Sequence, residues 1–300
     1  KVSSLYLHFY LQTIEHEIIK NSSGSTVQGI RLEIINDIPI PLPPLQEQQR
    51  IVELIESLFE KLDRAKELAQ EALDSFEERK SAIFHKAFTG ELTAKWREEN
   101  GFTETENWKT KPFKDVATIK SNLVDPKDYL DFPHIAPDNI EKKTGKLIYY
   151  NTIEQDGVIS GKHRFYAGQI LYSKIRPYLS KVVIVDFDGL CSADMYPIET
   201  QLNPRYLWYY MLSDDFVLAA SSSGSRSVLP KINQNELGEI DIVCPPLNEQ
   251  EEIVNILDNL FDLENQAVEY CQVIENIDFM KKSILSRAFR GELNTNNPNE

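Results

Sequence analysis

Pro43-Pro44-Leu45-Gln46-Glu47-Gln48-Gln49-Arg50-Ile51-Val52 returns two hundred residues later as Pro245-Pro246-Leu247-Asn248-Glu249-Gln250-Glu251-Glu252-Ile253-Val254. Both copies continue apolar at steps of three and four. The first runs Ile51, Ile55, Leu58, Leu62, Ala65, Ala69, Ala72, Phe76, and the second Ile253, Ile256, Leu260, Leu263, Ala267, Tyr270, Ile274, Ile277. A mean step of about 3.5 residues is the seam of a left-handed coiled coil. Each copy closes alike, on Ala87-Phe88-Thr89-Gly90-Glu91-Leu92 and on Ala288-Phe289-Arg290-Gly291-Glu292-Leu293. Proline before the start, Glu in the first turn and Gly after the last turn are helix start and stop signals. The pattern predicts two long helices, the first over Gln46–Ala87 and roughly 60 Å long at 1.5 Å per residue.

The repeat extends upstream of the helices. Tyr6-Leu7-His8-Phe9-Tyr10-Leu11 matches Tyr206-Leu207-Trp208-Tyr209-Tyr210-Met211, and Ile38-Pro39-Ile40 matches Ile240-Asp241-Ile242. Residues 1–100 thus copy 201–300, and only the stretch from about 101 to 200 stands unpaired. One such long period is a duplicated domain-plus-helix unit rather than a solenoid. The expected order is the tail of one globular domain (1–45), a long helix (46–100), a complete domain (101–246) and a second long helix (247–300). A preceding portion of about a hundred residues would complete the symmetry, and a start at Lys1 rather than Met reads as a chain lacking its true beginning. The apolar runs Leu5 to Leu11 and Ile30 to Ile40 are then left short of packing partners, for which a second copy of the chain is one candidate.

The unpaired stretch mixes short β-like runs with little helix. Leu147–Tyr150, Gln169–Tyr172 and Val182–Val185 read as strands, set off by Asp156-Gly157, Ala167-Gly168 and Asp188-Gly189 turns. A helix from about Pro204 to Ser213 follows, with a shorter one after Asn233. The class is α+β: a globular α/β domain carried on two long helices. Because the chain travels out along one helix and back along the other, the helices pair as an antiparallel coiled coil.

Composition narrows the function. Net charge is −15, but Thr103–Cys244 holds 16 Lys and Arg against 19 Asp and Glu, leaving 16 against 28 outside. The acid therefore sits mainly on the helices as a solvated face, and the middle segment can present a locally basic surface. Cys191, Cys244 and Cys271 are scattered and odd in number, which fits a reducing compartment and offers no disulfide framework or zinc spacing. No apolar run approaches the roughly 20 residues of a membrane span. The expected address is the cytoplasm, with no membrane partner.

Together these residues resemble the specificity subunit of type I restriction-modification systems. The resemblance rests on the Pro-Pro-Leu-x-Glu-Gln openings at 43–48 and 245–250 and the Ala-Phe-x-Gly-Glu-Leu closings. It also rests on Gly168-Gln169-Ile170-Leu171-Tyr172-Ser173-Lys174-Ile175-Arg176-Pro177, which is similar to the family's target-recognition domains. It covers essentially the whole chain. The resemblance implies a non-catalytic, cofactor-free reader of double-stranded DNA. Each recognition domain would read half of a split target at a spacing held by the helices. Two modification (methyltransferase) subunits would dock on the helices, and restriction subunits would join them. An alternative is a coiled-coil assembly scaffold that has lost DNA binding through truncation.

Within that frame, Lys162, His163, Arg164, Lys174, Arg176 and Lys181, clustered among turns, are the candidate DNA contacts, with Ser225, Arg226 and Lys231 in a later loop. Arg reads guanine bidentately, whereas Lys, Ser and loop amides mostly grip phosphate; the bland alternative is ordinary surface charge. Glu47, Gln48, Glu249 and Gln250 sit in first turns, where an acid favours the positive helix end; the resemblance alone makes them a docking edge for other subunits. Asn203-Pro204-Arg205-Tyr206 is superficially an adenine-methyltransferase box, but Asn as N-cap and Pro at the first helical position explain it. Tyr206, Trp208, Tyr209 and Tyr210 lie on one helix with an apolar stripe and are expected in the core. The histidines show no metal-ligand spacing.

Overall fold

The computed structural model describes residues 1–20, 31–102, 105, 108–223, 230–271, 274 and 276–293. It forms two compact units, Lys1–Phe76 with Glu264–Glu300, and Glu77–Leu263. The repeated stretches form helices as their periodicity requires. The first spans Leu45–Asp74 and, after a turn at Ser75, continues over Phe76–Thr89. The second spans Leu247–Cys271 and resumes at Ile277–Phe289. The turn has a local cause: Ser75 Oγ donates to the carbonyl of Ala72 at 3.0 Å, the kind of side-chain competition that bends helices.

In the first unit, Ile51, Val52 and Ile55 share a core with Tyr6, Phe9, Leu285 and Ala288. Farther along the same helix, Asp63 accepts from Lys281 Nζ at 2.6 Å, and that ammonium lies 5.1 Å from the Phe59 ring centre. Rising numbers on one helix meet falling numbers on the other, so the pairing is antiparallel. The second unit repeats the arrangement. Phe84, Ala87 and Phe88 share a core with Ile253, Val254 and Leu257, and Phe84 lies 5.1 Å from Phe261. The apolar stripe is buried at its ends only. Ala65, Ala72, Leu263, Ala267 and Tyr270 are exposed, Tyr270 by 78%. Alanines contribute little apolar area to a seam, so the stabilising burial collects where each helix end meets its globular neighbours.

The second unit carries the sheets. A four-stranded antiparallel sheet runs in the order Ala117–Ile119, Met195–Thr200, Ile170–Ser173, Val182–Ile184. A five-stranded sheet runs Leu123–Val124, Lys162–Phe165, Gly189–Cys191, Pro133–Ile135, Asn151–Thr152. In the latter only the Pro133–Ile135 pairing with Gly189–Cys191 is parallel. Gly189 is required there: a Cβ on it would lie 2.4 Å from the Phe165 ring and 2.8 Å from the Pro133 carbonyl. Lys109–Pro112 pairs with Asp241–Cys244. The strands expected at 169–172 and 182–185 form within a residue of their predicted bounds. The one expected at Leu147–Tyr150 does not: only Leu147 makes a bridge, to Ile140, and Ile148, Tyr149 and Tyr150 are exposed. β-branched and aromatic residues make a strand only where neighbours cover one face.

Helix Pro204–Leu212 begins as the sequence requires, with Asn203 Oδ1 accepting from the backbone N–H of Arg205 (2.9 Å) and Tyr206 (3.3 Å). Tyr206, Tyr209 and Tyr210 are buried in the core, as their stripe predicts. Asn233 likewise opens helix Gln234–Gly238 with a capping box. Among the described residues no helix is long and apolar enough to cross a membrane.

The internal repeat survives at atomic detail. Tyr6, on helix Ser4–Thr13, donates its hydroxyl to the Pro41 carbonyl at 2.9 Å, and Tyr206 donates to Val243 at 2.8 Å. Tyr10 donates to Pro39 at 2.6 Å, and Tyr210 to Asp241 at 3.3 Å. The offsets are those of the sequence repeat.

Candidate functional site

Two groups of residues were singled out by the sequence: the first turns of the long helices, and the cations of the β-rich domain.

At the helix starts the two copies share one clasp. Gln48 Oε1 accepts the backbone N–H of Ser3 at 2.8 Å, while its Nε2 donates to the Pro43 carbonyl at 2.8 Å. Gln250 does the same with Asn203 (2.8 Å) and Pro245 (2.7 Å). Both glutamines are 1% exposed, and each ties its helix start to the first residue before the short helix, 45 to 47 residues earlier in the same copy. Glu249 is buried too. Its Oε1 accepts from Arg97 Nη1 (2.6 Å) and Thr93 Oγ1 (2.7 Å), and its Oε2 from Trp108 Nε1 (2.8 Å). Arg97 in turn caps the Gly90 carbonyl at 2.5 Å. The helix exit, the first residues of the domain and the second helix start thus meet on one carboxylate. At Gln48, Glu249 and Gln250, expected as a docking edge, the polar atoms face inward and are already hydrogen-bonded within the chain. Glu47 differs from its mate Glu249. One oxygen faces Arg50 at 3.4 Å, and Oε1 is buried without a partner. Arg97 and Thr93 carry no signal in the sequence, since their partner lies more than 150 residues on.

The cations separate into three fates. Lys162 is 6% exposed, and its Nζ donates to Ser160 Oγ (2.7 Å) and Ser160 O (2.9 Å); burial pushes its pKa down. His163, also buried, is held below the usual histidine range by burial and then by the Lys174 charge. Lys181 donates to the Pro137 carbonyl at 2.7 Å with Asp138 at 3.7 Å, and Lys174 to the Ala193 carbonyl at 2.6 Å beside the Tyr196 ring. The ammonium groups of Lys162, Lys174 and Lys181 are therefore occupied by carbonyls and a serine hydroxyl of the domain, while His163 is buried with its Nδ1 lacking a partner. That departs from a common phosphate-gripping surface.

A second group is brought together and left outward. Residues 174–176 lie alongside 230–232 through Arg176 N–H to Pro230 O (2.7 Å), Ile232 N–H to Lys174 O (2.9 Å) and the Ile175–Lys231 bridge. Arg176 is exposed, and its side chain makes no ion pair or hydrogen bond among the described residues. Its φ of 49° is left-handed, sparsely populated for non-glycine residues and a strain that occurs at functional sites. Lys231 is exposed and shares Asp194 (3.2 Å) with Lys174 (3.7 Å). Ser225 and Arg226 lie outside the described residues.

The third fate is that of Arg164. Its guanidinium carbon sits 4.9 Å from the Tyr166 ring centre, 5.4 Å from Tyr129 and 5.8 Å from Phe132. Such a cage has no sequence signal: Tyr129 and Phe132 belong to a turn more than thirty residues earlier. No group of three or more His, Cys, Asp or Glu able to hold a metal occurs among the described residues.

A family model described as the type I restriction modification DNA specificity domain matches residues 1–72 and 105–271. The type I restriction enzyme EcoDI specificity subunit of Escherichia coli is 39% identical over 313 residues, covering 97% of this chain and 70% of that protein. The EcoKI specificity subunit of Escherichia coli strain K12 is 22% identical, covering 97% of this chain and 66% of that protein. The crystal structure of the HsdS subunit from Thermoanaerobacter tengcongensis shares the fold at TM-score 0.63 and 18% identity, over 97% of this chain and 71% of that one. A chain from a structure on complex assembly and conformational transition of the type I R-M system matches at TM-score 0.64 and 19% identity, over 96% and 70%.

Proposed function

The chain belongs to the type I restriction-modification DNA specificity family, and from that membership we propose that it reads duplex DNA through residues 101–246 and carries no catalytic centre of its own. Two modification subunits dock on the helices, restriction subunits join them, and the assembly works in the cytoplasm. The observation that carries this reading is the match of the specificity-domain model to both copies of the repeat, at 1–72 and 105–271. The geometry supports it in one further way. Arg176 and Lys231, from segments that hydrogen-bond side by side, are both exposed: the Arg176 side chain has no partner among the described residues, and Lys231 pairs with Asp194, itself partly exposed, at 3.2 Å. Exposed Tyr178 stands two residues from Arg176 and adds a flat apolar face.

The test is the salt dependence of binding to a duplex that the chain selects. Each phosphate neutralised contributes about 0.9 to the log–log slope. Arg176→Ala with Lys231→Ala should weaken binding and lower the slope by up to about 1.8. An unchanged affinity and slope would remove this face from the reading. Lys162→Met should leave the slope unchanged, since that ammonium is already satisfied by Ser160.

A further inference from the structure

Arg164 lies on strand Lys162–Phe165, and Tyr166 follows two residues on, on the same face. Opposite them stand Tyr129, closing the turn Pro126–Tyr129, and Phe132. Those two rings brace one another edge to face at 5.1 Å, and the Phe132 N–H donates to the Tyr129 carbonyl at 3.0 Å. Three rings hold one guanidinium, and none of them takes a hydrogen bond from it. Among the described residues no carboxylate or carbonyl accepts from its nitrogens, and Nε is buried without a partner. The side chain is half-buried, in contrast to the freely exposed Arg176.

Three rings within 4.9 to 5.8 Å restrict the freedom of the guanidinium while leaving its terminal Nη donors without a hydrogen-bond partner among the described residues. That is an economical way to present a rigid fork, since less rotamer entropy remains to be lost on binding. The acceptor that matches a fixed planar fork is one with two in-plane oxygen or nitrogen atoms side by side. A phosphate also offers paired oxygens but tolerates many approach angles. A base edge does not, and of the four base pairs only guanine offers two adjacent major-groove acceptors, O6 and N7. We infer that Arg164, held by Tyr129, Phe132 and Tyr166, reads a guanine in the DNA target and sets specificity at one position. This rests on the DNA-binding reading above and deepens it.

The experiment is selection from a randomised duplex library by the 300-residue chain, alone and with its modification subunits. Wild type is compared with Arg164→Lys, Arg164→Gln and Tyr129→Leu. Arg164→Lys keeps the charge but loses the fork. It should lose discrimination at one G·C position by roughly ten- to a hundredfold while affinity for random duplex stays within about twofold. Arg164→Gln should move that position toward adenine, whose N6 and N7 suit an amide. Tyr129→Leu, which retains the arginine, should loosen the same position by less. Tryptophan fluorescence checks that each variant is folded. Uniform weakening across all sequences would assign Arg164 to a phosphate and overturn the inference. An unchanged preference in folded Arg164→Lys and Tyr129→Leu would make the cage a packing device and overturn it equally. Should wild type enrich no sequence with or without modification subunits, the DNA-binding reading falls and takes the inference with it. An enriched wild type with unaltered variants sinks the inference alone.

Discussion

The two glutamates that open the long helices should respond in opposite ways to the same substitution. Glu249 is 3% exposed and paired with Arg97, whose side chain is 9% exposed, at 2.6 Å. Glu249→Gln removes the charge and forces an amide N–H toward Arg97 and Thr93 or toward the Trp108 indole, all of which donate. Leaving one member of a buried pair uncompensated costs about 3–5 kcal/mol. Glu47 holds only a partly exposed contact with Arg50 at 3.4 Å, and its Oε1 is buried unpaired. Glu47→Gln therefore loses an interaction worth about 0–1 kcal/mol and removes a charge from a poorly solvated position. Its net effect should lie near zero or slightly stabilise. All three tryptophans, Trp96, Trp108 and Trp208, fall in the unit Glu77–Leu263, so urea titration by tryptophan fluorescence reports that unit alone. With a urea slope near 3 kcal/mol/M, the Glu249→Gln midpoint should fall by about 1–1.7 M. Amide exchange over residues 45–55 reads the Glu47 site and should slow or stay unchanged. A Glu249→Gln midpoint within about 0.2 M of wild type would refute the claim that the carboxylate clasp holds the domain together. Replacing the clasp wholesale, Arg97→Met with Glu249→Leu, should recover much of the loss, because an apolar pair leaves no charge stranded.

Gln48→Ala and Gln250→Ala should each cost about 2–3 kcal/mol, from two main-chain hydrogen bonds and buried volume. Local amide exchange is the readout, and a large asymmetry between them would break the equivalence of the two copies. The His163 pKa is lowered in the folded state, so its contribution is present above the ordinary histidine value near 6.5 and is lost as pH falls below it. His163→Gln should flatten the urea midpoint between about pH 6.5 and 5, and an unchanged slope would place the pH dependence elsewhere. Asp156 is held below the usual carboxylate range by hydrogen bonds from His134 and Asn151, so its contribution persists at neutral pH and fades only as pH drops through its own lowered value. The purified chain, given S-adenosylmethionine and duplex DNA, should transfer no methyl group and cut no strand; activity that co-purifies through successive columns would contradict the non-catalytic reading.

Much of the architecture was written in local pattern. Ile51, Ile55 and their mates at 253 and 256 mark helices because a 3.6-residue period is a property of one segment and its burial. Asn203 and Asn233 mark helix starts because a cap bonds backbone only two or three residues on. The repeat of residues 1–100 at 201–300 was legible for the same reason, and with it the pairing of helices that must run out and back. What the sequence could not decide was the fate of individual charges. Lys162, Lys174 and Arg176 look alike in a string. Yet one is buried on a serine, one is bonded to a carbonyl, and one is left outward, according to which strand or turn the fold brings alongside. Glu47 and Glu249 occupy the same place in the same motif. They differ because Arg97, Thr93 and Trp108 reach one and not the other, across separations of 141 to 156 residues. Hydrogen bonding and desolvation act over a few ångströms of space, and only tertiary structure says which residues, distant in the chain, occupy that space.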